Sequence, residues 1–307
     1  MRKNEHNKPI DKPKSIHIFF LQTEFSLFFC LNVIFQKKIN IKSCLFLIES
    51  PKRISGYLEG YLKNCNYIKF NGNLKAFKKD IENIIQNQSE YNVTKIYSDR
   101  FHRNFLLKNI KIISKHINVS DFFIFPDALS FSNPDIKFES FIGEQVRNIR
   151  KISKSSSISL LLFEKLNPTN NLIADQLLIE LNPIKNDSLF RGSILIIGGE
   201  LGISEKAILH VIQNNPKTAI YLKKHPVDPN DYNNIKKVES FDSDLLMEDI
   251  LFSKQIKGVY GNFSTLIYLA NKFKLCEQTS FIYDSINLKD NKWLPVAQKN
   301  KMNIIRI

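Results

Sequence analysis

The stretch "GSILIIGGELGISEKAILHVIQNNPKTAIYLKK", residues 192–224, decides the fold. Gly192 to Gly199 is a short apolar run closed by two glycines, and it reads as a buried strand. Ser204 to Asn215 carries apolar residues at helical spacing, and Thr218 to Lys224 is apolar again for the length of a strand. A strand, a helix and a second strand in this order form the unit of a parallel sheet flanked by helices. The rhythm continues downstream. "DLLMEDILFSK" (244–254) reads as a helix, "IKGVYG" (256–261) as a strand and "STLIYLANKF" (264–273) as a helix.

Upstream the same alternation recurs. "IHIFFL" (16–21) precedes a helix from about Phe25 to Phe35, and "SCLFLIE" (43–49) a polar connection. "LKAFKKDIENIIQNQ" (74–88) is a helix by its period, "VTKIYS" (93–98) a strand, "FHRNFLLKNIKIISKHI" (101–117) a helix and "DFFIFPD" (121–127) a strand. Residues 132–192 are less regular, with "KSSSIS" and several Asn-Pro steps that break helices. The expected organisation is a flexible leader over 1–14, a Rossmann-like domain over 15–150, an interdomain region over 151–190 and a second Rossmann-like domain over 191–307. The fold class is α/β.

The chain has 307 residues, 43% of them hydrophobic and 24% charged, enough for two domains of ordinary size and too apolar for wholesale disorder. Its formal charge of +14 points to an anionic partner. The lysines are scattered among acids and form no stripe with interleaved aromatics, so a nucleic-acid role gains little. Four cysteines without a CxxC pair read as reduced, cytosolic thiols rather than a zinc site. Ser15 to Phe35 is the apolar candidate for a membrane span, but His17, Gln22, Thr23, Glu24 and Asn32 interrupt it. No small-residue cleavage site follows it, which disfavours a signal peptide.

In open α/β sheets ligands bind at the carboxyl ends of strands, close to helix N-termini. The unusual residues of the second half fall at such ends. His225 follows a strand and two lysines, and Pro226 stiffens its backbone; it can bond a phosphate oxygen or pass a proton to it. Ser264 and Thr265 open an apolar helix after Gly261, where hydroxyls and free N–H groups suit an anion, as they also suit an ordinary cap. Gly198 and Gly199 end a strand and allow close approach to the backbone; neither GxGxxG nor a P-loop is present. Glu200 lies in the same turn. Asp242-Ser243-Asp244 has the form of a DxD metal element but directly precedes a helix, where acids complement the N-terminus. Glu248 or Asp249 can reach ribose hydroxyls from that helix, against a default of a solvated face. In the first half Asp127 ends "DFFIFPD", either as a proton acceptor or as a turn former after Pro126.

Taken in order, these segments resemble bacterial lipooligosaccharide sialyltransferases, glycosyltransferase family 52. The segments concerned are "IHIFFLQTEFSLFF", "SILIIGGELG", "YLKKHPVDPNDY", "LLMEDIL", "VYGNFSTLIYLA" and the closing "WLPVAQKNKMNIIRI". The resemblance implies a GT-B fold, two Rossmann-like domains facing a central cleft. It implies inverting transfer of sialic acid from CMP-sialic acid to a terminal galactose of a surface glycan. His225 would serve the departing phosphate, with Gly198, Gly199, Pro226, Ser264 and Thr265 around the nucleotide and Glu248 on its ribose. The family's acidic motif has two acids and a Gly where this chain has Pro126-Asp127-Ala128-Leu129, so Asp127 and Glu200 both stand as the base. No metal or other cofactor is implied. The expected partners are the donor and a glycan or glycolipid acceptor, with no nucleic acid. A cytoplasmic enzyme, peripheral at the inner membrane and able to form a homodimer, fits the resemblance. The alternatives are a glucosyltransferase or another GT-B enzyme with a different nucleotide sugar, a noncatalytic anion-binding protein, and an inactive relative.

Overall fold

The computed structural model describes residues 14–49, 58–87, 91, 93–98, 104–125, 147, 149–151, 157–163, 175–184, 188–199, 201–225, 228–241, 245–283 and 293–307. The leader expected over 1–14 therefore lies outside the described residues except for Lys14.

The strands of the first sheet are β1 (Ser15–Leu21), β2 (Cys44–Ile48), β3 (Asn66–Lys69), β4 (Val93–Ser98), β5 (Asn118–Ile124), β6 (Ser157–Phe163) and β7 (Asp175–Ile179). They lie in the order β3-β2-β1-β4-β5-β6-β7, all parallel. The second sheet contains β8 (Ile194–Ile197), β9 (Ile220–Lys223), β10 (Val238–Phe241), β11 (Gly258–Gly261), β12 (Gln278–Tyr283) and β13 (Asn303–Arg306). Its order is β10-β9-β8-β11-β12-β13, again parallel throughout. Both sheets thus reverse their winding at one point, between β1 and β4 and between β8 and β11. Such a switch point opens the crevice in which α/β proteins bind ligands. Strands β6 and β7 come from the region expected to join the domains. Despite its serines and Asn-Pro steps, that region extends the first sheet.

Helices with described bounds are α1 (Glu24–Gln36), α2 (Leu74–Asn87), α3 (Asn104–His116), α4 (Glu205–Asn214), α5 (Met247–Phe252), α6 (Thr265–Phe273) and α7 (Leu294–Lys299). Helix α2 is amphipathic and buries Phe77, Ile81 and Ile85, spaced four apart on one face. Helix α1 is apolar nearly all round and is buried accordingly, with Phe25, Leu27, Phe28, Phe29, Cys30, Val33 and Ile34 all inside. Beneath it a row of rings crosses four neighbouring strands. Phe46, Phe19, Tyr97 and Phe123 stack in turn, with centroids 5.2, 4.4 and 4.6 Å apart. In-register pairing puts these side chains on one face, and offset stacking adds to their burial.

The other side of α1 meets the second half. Phe28 lies against Phe252 of α5 at 5.3 Å between rings, and Asn32 Oδ1 accepts from the Asn182 backbone N–H at 2.8 Å. One buried cluster accordingly contains residues of both halves, among them Phe19, Phe28, Leu195 and Phe252. No described helix is long and apolar enough to cross a membrane.

Candidate functional site

The residues singled out in the second half gather where β8, β9 and β11 end, at the switch point of the second sheet. Gly261 closes β11 with φ of 154°, and a Cβ there would stand 2.1 Å from the Ile197 carbonyl oxygen of β8. Only glycine lets the two strand ends come so close. The next residue, Asn262, is buried, donates its backbone N–H to Ile197 O at 3.2 Å and accepts from Gly199 N–H through Oδ1 at 3.2 Å. Gly198 N–H goes to the Lys223 carbonyl at 3.0 Å. The N–H groups of both glycines are therefore committed within the protein. A Cβ on Gly199 would lie 3.3 Å from that of Asn262, a tight contact, whereas one on Gly198 would meet its nearest atom, Asp228 Oδ2, at an ordinary 3.5 Å.

The loop after β9 is locked onto the turn after β8 by a buried carboxylate. Asp228 Oδ1 accepts from the backbone and side-chain N–H groups of Asn230, both at 2.9 Å, and Oδ2 from the Tyr232 hydroxyl at 2.8 Å. Tyr232 Oη accepts in turn from Ile203 N–H at 2.9 Å, and Asn230 Nδ2 reaches Leu201 O at 3.1 Å. Burial, with the Asp228 carboxylate beside it, raises the Tyr232 phenol above its usual value. Gly202, at φ of 81°, admits this packing: a Cβ would fall 2.0 Å from Asn230 Nδ2. His225 begins the loop. It is half-buried, and its carbonyl accepts from Asp228 N–H at 2.9 Å. Asp228 thus ties the carbonyl of His225, at the start of this loop, to the network that reaches Tyr232 and Ile203.

Helix α6 starts beside it. Ser264 is its N-cap, in extended conformation, and accepts from Ile267 N–H at 3.4 Å. Ser264 and Thr265 are both half-exposed, while the helix behind them is buried. Phe263 stacks on Trp293 with centroids 4.8 Å apart, an aromatic wall next to this N-terminus.

Glu248 and Asp249 are not on a solvated helix face. Both are buried, and α5, which carries them, is buried along its whole length. Asp249 Oδ1 accepts from the Ile184 backbone N–H. Glu248 Oε2 has no hydrogen-bond partner. Burial lifts the Glu248 carboxyl to about 7; the negative charge of Glu24 adds to this and the Lys223 ammonium opposes it. Lys223, last residue of β9, makes an ion pair with Glu24 in the first turn of α1. That pair joins the carboxyl end of the second sheet to the residues that follow β1 in the first.

The structure therefore brings Gly198, Gly199, His225, Ser264 and Thr265 to one edge of the second sheet, and Glu248 feels the charge of Lys223 at the same edge. Asp127, Glu200, Pro226 and the Asp242–Asp244 element lie outside the described residues. Asn262, Asp228, Glu24 and Lys223 were not among the site residues expected from the sequence. "GNFST" contains Asn262 in plain view, but its bond to Gly199 spans 63 positions and no local spacing announces it.

No protein-family model matches the chain, and no curated protein matches it in sequence. Solved structures do match. An α/β-galactoside α-2,3-sialyltransferase from Photobacterium phosphoreum superposes with a TM-score of 0.59 at 14% identity, covering 95% of this chain and 99% of that one. A 2,6-sialyltransferase from Photobacterium sp. JT-ISH-224, in complex with CMP and lactose, gives 0.58 at 12% identity, covering 96% and 78%. The Arabidopsis thaliana enzyme UGT89C1, complexed with UDP-L-rhamnose, gives 0.53 at 11% identity, covering 96% and 86%. The chain has the GT-B fold.

Proposed function

We propose that the chain is an inverting glycosyltransferase that moves sialic acid from CMP-sialic acid to a terminal galactose of lipooligosaccharide or a related surface glycan. The observation that carries this reading is the convergence of three strand ends at the switch point of the second sheet, with His225, Ser264 and Thr265 on one edge. Likeness over nearly the whole chain to two sialyltransferases, one bound to CMP and lactose, supports CMP-sialic acid over other donors.

In the proposed reaction the acceptor hydroxyl attacks the anomeric carbon and gives its proton to a carboxylate, Asp127 or Glu200. The bond between that carbon and the phosphate oxygen breaks with oxocarbenium character. Negative charge builds on the departing CMP phosphate, which takes a proton or hydrogen bond from His225. Ser264, Thr265 and the N-terminus of α6 stabilise that charge, and donors held in place beforehand spend nothing on reorganisation. Glu248 accepts from a ribose hydroxyl. Protein groups cover the phosphate, so turnover is expected to survive a chelator. We place the enzyme in the cytoplasm, peripheral at the inner membrane, with a glycolipid acceptor.

A positioned general acid contributes about 10² to 10⁴-fold. His225→Ala should lose at least roughly 10²-fold in turnover while melting like the wild type; full activity would remove His225 from the mechanism. The donor is tested by thermal shift with CMP, UDP, GDP and CMP-sialic acid. Selective stabilisation by the CMP compounds supports the reading. Selective stabilisation by UDP would favour the second reading, a GT-B enzyme using a UDP-sugar, which the likeness to the UDP-L-rhamnose complex motivates.

A further inference from the structure

Glu248 is nine-tenths buried, carries an unpartnered carboxylate oxygen and has a lysine of its own half in the vicinity. A buried carboxylate near a cation ordinarily pairs with it, because an unsatisfied charged acceptor is costly. Here Lys223 pairs instead with Glu24, which the first half supplies from the start of α1. Both partners are largely buried, with side chains 12% and 18% exposed. The arrangement leaves a prepared acceptor, Glu248 Oε2, the carboxylate oxygen among the few buried side-chain atoms of the described residues that make no hydrogen bond.

We propose that Glu24 is a positioning residue for the nucleotide pocket: by holding the Lys223 ammonium across the cleft, it keeps Glu248 Oε2 unpaired and available to a ligand hydroxyl. The pocket of the second half is then complete only when the first half is docked against it. The assignment of a ligand hydroxyl to Glu248 rests on the proposed function; the competition between Glu24 and Glu248 for one ammonium does not. The charged groups facing Glu248 are Glu24 on α1, Lys223 on β9 and Asp249 beside it on α5. Removing Glu24 takes away a negative neighbour and releases the cation. Both changes drive Glu248 toward an ionised, paired state.

Calorimetric titration of the full chain with CMP provides the test. Glu24→Gln should weaken CMP binding by roughly tenfold, the scale of one lost hydrogen bond. It should also move the pH dependence of binding to lower pH. Adding Lys223→Met to Glu24→Gln should recover most of the affinity, because no cation is left to occupy Glu248. A merely structural role predicts that the double variant binds no better than the single one, and that result would overturn the proposal. Glu24→Asp serves as the conservative variant if Glu24→Gln does not fold, and it should bind CMP like the wild type. Should the wild type bind no nucleotide, the proposed function fails. The competition is then read without ligand, from the pH dependence of the melting temperature. The step that Glu248→Gln abolishes must shift to lower pH in Glu24→Gln; a step that stays in place rejects the role of Glu24.

Discussion

The two sheets share one winding order and leave their central strands by different chemistry. After β1 the chain turns through Gln22 and Thr23 into α1 with a reciprocal cap. Thr23 Oγ1 accepts from Ser26 N–H at 3.1 Å, and Ser26 Oγ accepts from Thr23 N–H at 2.9 Å. Glu24 then pairs with Lys223, so the protein's own groups fill the start of α1. After β11 the turn runs through Gly261, pressed onto Ile197, and the buried Asn262. Ser264 caps α6 with one bond of 3.4 Å, and Ser264 and Thr265 are half-exposed. β1 and β11 stand on opposite sides of their sheets' switch points, and the turns that follow them serve two ends. One turn is closed, so that a buried helix can dock the halves together, and the other leaves Ser264 and Thr265 half-exposed, where the proposed function puts an anion.

Gly261→Ala tests the open turn most severely. The new methyl group would collide with the Ile197 carbonyl in a backbone conformation that L-residues avoid. Urea unfolding should show a loss of about 3–5 kcal/mol. A variant as stable as the wild type would mean that β8 and β11 do not approach as closely as described, and the contrast between the turns would collapse.

A smaller effect separates the halves by pH. Burial raises the Glu248 carboxyl in the second half to about 7. Below the unfolded value near 4.5 both states hold the proton and the group contributes no pH dependence. Between 4.5 and 7 the native state keeps a proton that the unfolded chain has lost, so stability falls as pH rises. His17, in the first half, behaves oppositely. Burial and the nearby Lys95 hold it down to about 4, so stability falls as pH drops from 6.5 toward 4. Glu248→Gln should therefore melt higher than the wild type at pH 8, by a gain on the order of 2 kcal/mol, and converge with it near pH 4. The same variant should bind nucleotide more weakly, the usual exchange of function for stability. Equal stability at pH 8 would show that Glu248 carries no penalty and is not held ready for a ligand.

The contrast between the turns was only partly legible in the sequence. Strand β4 coincides with "VTKIYS", and α1, α2 and α6 lie within a residue or two of their expected bounds, because long apolar periodicity is a local signal. Strand β3, "NYIK", buries only Ile68 fully and gives almost no pattern to read. Strands β6 and β7 were hidden among serines and Asn-Pro steps. Of the site, the strand-end glycines, His225 and the Ser-Thr pair were visible, since each breaks an apolar run. The partners that give them meaning were not. Lys223 meets Glu24 across 199 positions, and Tyr232 meets Ile203 across 29; such contacts depend on how the sheets wind. The burial of Glu248, against the default of a solvated face, was hidden for a related reason, because a helix of six residues shows too little period to reveal that all of it is buried.

The smallest effect is the sharpest discriminator, because it makes the same chemical change in both turns. Thr23→Ala removes the cap of α1 and leaves Ser26 N–H, at the edge of a buried helix, without its acceptor. Loss of a Ser or Thr cap costs about 1 kcal/mol, and Thr23→Ala should show that loss in full. Ser264→Ala removes a longer bond at a half-exposed position, where water can replace the hydroxyl, so its stability cost should be smaller. Nucleotide binding should reverse the ranking. Thr23→Ala should leave the thermal shift produced by CMP intact, because the start of α1 faces Lys223 and not a phosphate. Ser264→Ala should reduce that shift severalfold, because it takes a donor from the anion site while α6 itself persists. If both variants lost stability equally and neither lost affinity, the two turns would be equivalent caps, and the phosphate would have to be sought at another strand end.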